Sequence, residues 1–192
     1  MTADAASDDL AALDDGALVA RAIAGRQVAF REIMRRHRDP LYRLVRGHVG
    51  DADEALDLVQ DCFATAWRHL GRFDQSRPLR PWLARIAINR ARDWHRRRAL
   101  RRLVGFGVGR EEEAVPDEAP LPDIVAGARI DLERVWAAIT RLPERLRETL
   151  LLRTVNGLSQ METAEALKIS EKAVETRLYR ARVQLVAMLG EG

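Results

Sequence analysis

The chain has 192 residues and 21.7 kDa, room for one ordinary domain or two small ones with cores of their own. Hydrophobic residues make up 47% and charged residues 32%, which excludes a disordered tail, and no apolar run approaches the roughly 20 residues of a bilayer span. The net charge is only +3, but of the 32 basic side chains only Lys168 and Lys172 are lysines, so the positive charge is carried by guanidinium groups, which suit phosphates and base edges.

Asp4, Asp8 and Asp9 stand where a secretory signal would be basic, and the lone Cys62 cannot form an internal disulfide. Both point to a cytoplasmic protein. Apolar residues recur at helical spacing through most of the chain, and no period-two run is long enough for a strand, which predicts an all-α fold. Residues 1–13 read as a loose or lightly helical leader and 14–98 as a first helical domain. A helix over Leu56 to Leu70 puts Leu56, Val59, Phe63, Ala66, Trp67 and Leu70 on its inner face, with Asp57, Asp61, Ala64 and Arg68 outside. Asp57 and Asp61 are one turn apart and repel by roughly a few tenths of a kcal/mol unless a cation sits opposite. Such a stripe suits either solvent or a docking surface.

Phe73 to Pro81 reads as a polar loop, and a helix from about Trp82 carries Leu83, Ile86, Ala87 and Trp94 inward and Arg85, Asn89, Arg92, Asp93 and Arg96 outward. From Arg90 to Arg102 seven arginines face one acid, Asp93, which reads as a polyanion-facing surface or as a solvated helix end. Asn89 adds an amide able to read a base edge. Trp82 and Trp94 could stack on bases, although their apolar face favours the core.

The amphipathic pattern lapses over 99–128, where Gly105, Gly107, Gly109, the acidic triplet Glu111 to Glu113, Pro116, Pro120 and Pro122 mark a flexible linker. Its G-x-G-x-G follows arginines instead of a strand, so it is no dinucleotide loop. A second helical domain follows over 129–192. Leu132 to Val155 supplies supporting helices, interrupted at Leu142-Pro143, with Leu146, Leu150 and Leu151 inward. Ser159-Gln160-Met161-Glu162 fits a capping box opening a helix that ends near Leu167, and Ser170 caps the next. That helix has a core stripe of Val174, Leu178, Ala181, Leu185 and Met188. Its other face carries Lys172, Thr176, Tyr179 and Val183, flanked by Glu175, Arg180 and Arg182. This is the profile of a helix-turn-helix with a groove-reading second helix, or of a plain helical hairpin.

Covalent chemistry has no candidates. Neither lysine follows a glycine, the histidines at 37, 48, 69 and 95 lack ligand spacing with Cys62 or a carboxylate motif, and the four serines include no nucleophile elbow. The chain reads as a non-enzyme, without catalytic residues, metal or cofactor.

In their order along the chain these motifs resemble a sigma factor of bacterial RNA polymerase, specifically the small two-domain extracytoplasmic-function (ECF) group. The resemblance spans Asp15 to Leu189 outside the linker. It rests first on Asp57-Leu58-Val59-Gln60-Asp61 with Ala66-Trp67, then Phe73, Trp82-Leu83, Ile86-Ala87, Asn89 and the arginine run. In the second half it rests on Leu142-Pro143 with Arg145, Gly157-Leu158-Ser159, Ile169-Ser170 and Val174 through Arg182. It implies that 14–98 is sigma region 2 and 129–192 region 4. Asp57, Gln60 and Asp61 would meet the clamp helices of the largest polymerase subunit. Phe73, Arg80, Arg85, Asn89, Arg92, Asp93 and Arg96 would bind and open the minus-ten element. Ser170, Lys172, Glu175, Thr176, Tyr179 and Arg180 would enter the major groove at the minus-thirty-five element.

The implied partners are core RNA polymerase, promoter DNA and an anti-sigma factor, with the chain a monomer within the holoenzyme and no membrane insertion. Three positions depart from the pattern. Lys168 stands where relatives commonly have glycine, so a left-handed backbone there would carry roughly 1 to 2 kcal/mol, or the turn differs. Glu175 replaces a common basic residue and Arg90 a common apolar one. A linker of about 30 residues reaches at most roughly 100 Å, enough for promoter elements two helical turns apart. The rival readings are a stand-alone helix-turn-helix regulator, which would bind palindromic DNA without polymerase, and a protein-only helical adaptor, indifferent to loss of Tyr179 and Arg180.

Overall fold

The computed structural model describes residues 10–103 and 123–190, with side chains through 101, at 103 and from 132. Residues 1–9 of the expected leader and 104–122 of the expected linker lie outside the described residues. The first domain contains α1 (Asp15–Ile23), α2 (Gln27–Val49), α3 (Ala52–His69) and α4 (Leu79–Leu103). The second contains α5 (Asp123–Arg141), α6 (Glu144–Leu150), α7 (Gln160–Leu167) and α8 (Glu171–Gly190). The described residues contain no strand, in agreement with the all-α expectation.

Local chemistry fixes most of the helix starts. The Asp14 carboxylate accepts the Ala17 amide at 2.7 Å, and Asp51 accepts the Glu54 amide at 2.9 Å, each satisfying a donor the helix cannot. The Asp51 cap starts α3 at Ala52, ahead of the expected Leu56. Helix α4 begins at Leu79 instead of Trp82, with Pro81 in the first turn, where no amide partner is needed. It then runs to Leu103, so residues 99–103 of the expected linker are helical, and α5 takes up the linker's other end from Asp123. Residues 10–13 are not loose either. The Arg36 guanidinium donates to the carbonyls of Leu13, Leu10 and Ala11 at 2.6, 2.8 and 2.9 Å, pinning this turn to α2.

Helices α2, α3 and α4 enclose the first core around Ile33, Leu41, Leu44, Val59, Phe63, Leu83 and Ile88. In the second domain Pro143 caps α6, which ends in one wide turn at Leu151–Val155, where the Asn156 amide reaches the Leu151 carbonyl at 2.8 Å. Ser159 and Glu162 form the expected reciprocal box, and Ser170 Oγ accepts the Ala173 amide at 3.2 Å. Between α7 and α8, Lys168 adopts φ 56 and ψ 50, the left-handed turn in which its side chain is strained. The domains do not stand apart: Leu142, Leu150, Leu151, Leu152 and Leu158 belong to the same continuous core as the first-domain residues.

Candidate nucleic-acid interface

On α3 the side chains of Asp57, Gln60 and Asp61 are all exposed. Arg68, on the same face, donates to Ala64 O and Thr65 Oγ1, both at 3.2 Å, and leaves the two carboxylates without an ion pair among the described residues. Leu56 and Trp67, expected in the core, are 38% and 41% exposed. Helix α2 covers only part of the wide apolar face of α3, and the remainder forms a groove with Phe30, Met34 and Phe63, rimmed by Arg31, Arg35 and Arg38. Trp67 closes one wall, its ring 4.9 Å from that of Phe30.

A second concavity opens where the loop after α3 meets α4, lined by Arg72, Phe73, Arg77, Trp82 and Arg85. Asp74 shapes the loop by accepting the Ser76 amide at 3.0 Å and its hydroxyl at 2.6 Å. These Ser76 bonds, with Arg77 beside them, hold the Asp74 carboxyl below its ordinary range. Phe73 is buried and stacks obliquely on half-buried Trp82, centroids 4.9 Å apart, so the pair forms an aromatic wall beside three guanidinium groups.

Along α4, Arg85 and Asn89 are exposed one turn apart, and exposed Arg96 pairs with Asp93. Arg92 is engaged: its Nε and Nη2 donate to the two oxygens of Glu148 at 2.5 and 2.7 Å, with Glu144 at 3.4 Å. Arg80 is half-buried against Gly157, whose φ of +68 and missing side chain admit the guanidinium, with Nη2 3.4 Å from where a Cβ would lie. Trp94 is core, donating from Nε1 to Glu54 at 2.8 Å. Arg90 explains its own departure from an apolar residue: it ties α4 to α3 by donating to Thr65 Oγ1 at 2.6 Å.

On α8, Val174 and Ala181 are buried and Leu178, Leu185 and Met188 half-buried, as the stripe predicts. Lys172, Glu175, Thr176, Tyr179, Arg180, Arg182 and Val183 are exposed, Tyr179 at 70%. Glu175 is offset by Lys172, whose Nζ lies 3.0 Å from its carboxylate. Sequence reasoning missed Glu148, which is 1% exposed. The available signal was Glu144 and Glu148 stacked one turn apart on a short helix, an acidic pair like that on α3.

Residues 33–101 match the family described as Sigma-70 region 2, and residues 132–185 match Sigma-70, region 4. The RNA polymerase sigma factor CnrH of Cupriavidus metallidurans is 39% identical over 180 residues, covering 91% of this chain and 94% of that one. The sigma factor NccH of Alcaligenes xylosoxydans xylosoxydans is 37% identical over 175 residues, with the same coverage of 91% and 94%. The chain belongs to the ECF sigma factors. It serves promoter-specific initiation of transcription by RNA polymerase. Among solved structures, CnrH in complex with the cytosolic domain of CnrY superposes with a TM-score of 0.71 at 34% identity, covering 92% of this ECF sigma factor and 97% of that chain. The sigma factor RpoE of Bartonella quintana, in complex with the anti-sigma factor NepR, gives 0.70 at 25% identity, covering 84% and 96%. Among the described residues no helix is long and apolar enough to cross a membrane, and no three His, Cys, Asp or Glu side chains gather as a metal site.

Proposed function

We propose that this sigma factor divides its work among three faces. Asp57, Gln60 and Asp61 on α3 dock on the clamp helices of core polymerase. The loop from Phe73 and helix α4, through Arg80, Arg85, Asn89, Arg92, Asp93 and Arg96, hold the opened minus-ten strand. Ser170, Lys172, Glu175, Thr176, Tyr179 and Arg180 on α8 read the minus-thirty-five element in the major groove. On this reading 14–98 is region 2 and 129–192 region 4, and the chain works in the cytoplasm as a non-catalytic monomer within the holoenzyme. The complexes of CnrH with CnrY and of RpoE with NepR support an anti-sigma partner for this chain as well.

The observation that carries the reading is the exposed acidic pair on α3, left without a counter-ion among the described residues although Arg68 shares its face. A face tuned to solvent would gain from pairing; a face tuned to a basic partner keeps its carboxylates free. The aromatic wall of Phe73 and Trp82 supports the DNA assignment. Extruding a base costs roughly a few kcal/mol, comparable to one stacked base with its phosphate contacts.

Asp57→Arg combined with Asp61→Arg is expected to abolish co-elution with core polymerase while the circular dichroism of the chain stays helical. Unchanged co-elution would overturn the docking assignment. Within the holoenzyme, Tyr179→Ala and Arg180→Ala are expected to weaken promoter competition by about 1 to 3 kcal/mol per lost base contact. A protein-only adaptor would show no change.

A further inference from the structure

The start of α8 is held in place from three sides. Ser170 Oγ accepts the Ala173 amide, Gln160 Nε2 of α7 donates to the Glu171 carbonyl at 3.2 Å, and Val174 and Ala181 are buried beneath. On the outer face two polar groups are committed to the backbone: Ser170 as that cap, and Thr176, whose hydroxyl donates to the Lys172 carbonyl at 2.9 Å. Lys172 and Glu175 are committed to each other. Both are exposed, and Nζ lies 3.0 Å from a carboxylate oxygen, so the helix presents a donor and an acceptor side by side on one face.

A carboxylate has few partners in the major groove. It only accepts, phosphates repel it, and the base edges offer two donors, N4 of cytosine and N6 of adenine. Adenine N6 lies between two acceptors, its own N7 and O4 of the paired thymine, so the second carboxylate oxygen meets a lone pair on either side. Cytosine N4 has O6 of the paired guanine on one side and a C5–H, which repels nothing, on the other. The guanine acceptors O6 and N7 call for a donor, and Lys172 brings one. Cytosine N4 and guanine O6 are themselves hydrogen-bonded, roughly 3 Å apart, so this donor and acceptor face Lys172 and Glu175 at matching spacing and in the opposite sense.

We propose that Lys172 and Glu175 jointly read one C·G pair of the minus-thirty-five element, Glu175 accepting from cytosine N4 and Lys172 donating to guanine O6 and N7. This rests on the assignment of α8 to the major groove and adds the base pair that this part of the helix selects. It also gives a purpose to the acidic residue at 175. A basic side chain there would favour guanine on the strand where this chain favours cytosine.

The test presents the full chain, bound to core polymerase, with promoter duplexes randomised over the minus-thirty-five element, and sequences those retained. At one position the wild type is expected to retain C·G at least about tenfold over every other pair. Glu175→Ala and Lys172→Met are each expected to flatten that same position to within about twofold and to leave the ranking at the remaining positions standing. Glu175→Arg is expected to turn it from cytosine to guanine, a gain that loss of folding cannot imitate. Should the two single variants flatten different positions, or neither flatten any, the pair is an ordinary surface salt bridge and the proposal falls. Tyr179→Ala and Arg180→Ala separate that failure from a deeper one. If they still change the retained sequences, α8 reads the groove without this pair; if no variant on α8 changes them, the groove assignment falls as well.

Discussion

Lys168 is the single non-glycine residue with positive φ among the described residues, and its backbone shows why the turn tolerates it. The Lys168 amide reaches Glu165 O at 3.2 Å and the Ile169 amide reaches Ala164 O at 3.0 Å, the paired closure of a Schellman turn, which requires a left-handed residue at this position. Lysine carries about 1 to 2 kcal/mol of strain in that conformation; glycine relieves it but loses about 0.5 to 1 kcal/mol through its freer unfolded chain. Lys168→Gly is therefore expected to stabilise the protein by about 0.5 to 1 kcal/mol in urea unfolding, and Lys168→Val to destabilise it. Cys62 presents a different single-residue case. Burial pushes its thiol up to about 12, so it stays protonated at neutral pH and is expected to react with a thiol reagent only as fast as the chain unfolds. Fast labelling of folded protein would contradict its placement in the core.

At the scale of the helix, what sequence can reveal is set by how far its bonds reach. The Ser159 box and the Ser170 cap close within four residues, and both were legible as a serine followed by the right neighbours. Ser159→Ala is expected to cost about 1 kcal/mol in stability, since it leaves the Glu162 amide unpaired at the start of α7. The two faces of α8 were legible for the same reason: periodicity fixes which side chains share a side. It does not say what covers that side. Leu56 and Trp67 lie on the apolar face of α3, yet α2 covers them only in part, and an exposed groove results where a core was expected. The end of α4 was misplaced because the apolar stripe fades among the arginines, although arginine is itself a good helix former and carries the helix to Leu103. Arg92 and Glu148 are 56 residues apart, and no local pattern announces their pairing. Of the candidate site, the exposed residues of α3 and α8 were readable, whereas the engagement of Arg92 and Arg80 by the second domain was not.

For the whole molecule, the seam between the domains also contains histidine, and this sets how the fold answers to acid. His48 of α2 is 2% exposed, and its Nε2 has no hydrogen-bond partner among the described residues. His95 of α4 lies between the domains, its Nε2 3.0 Å from the His48 carbonyl and 3.3 Å from Nη2 of Arg147 on α6. One ring nitrogen cannot donate to the first and accept from the second at once, so either tautomer leaves one contact unmade. Burial depresses both imidazoles, and the positive charge of Arg147 adds to the effect; Arg92 acts on His48 and Arg98 on His95, against which Glu144 and the His48 carbonyl raise His95 only in part. Both rings therefore stay neutral in the folded chain below the 6.5 at which they would ordinarily take up a proton. Above that pH, folded and unfolded states bind equally few protons at these rings and nothing is lost. Below it the unfolded state takes protons that the folded one refuses, so stability falls as the pH falls. His48 contributes a slope of up to about 1.4 kcal/mol per pH unit, and His95 less, because water screens its partly exposed ring. Urea unfolding between about pH 7 and 5.5 is expected to show this loss, with a shallower slope in His48→Leu and in His95→Gln. Parallel slopes in the wild type and both variants would place the acid sensitivity elsewhere, because His37, His69 and the carboxylates are common to all three chains and cancel in the comparison.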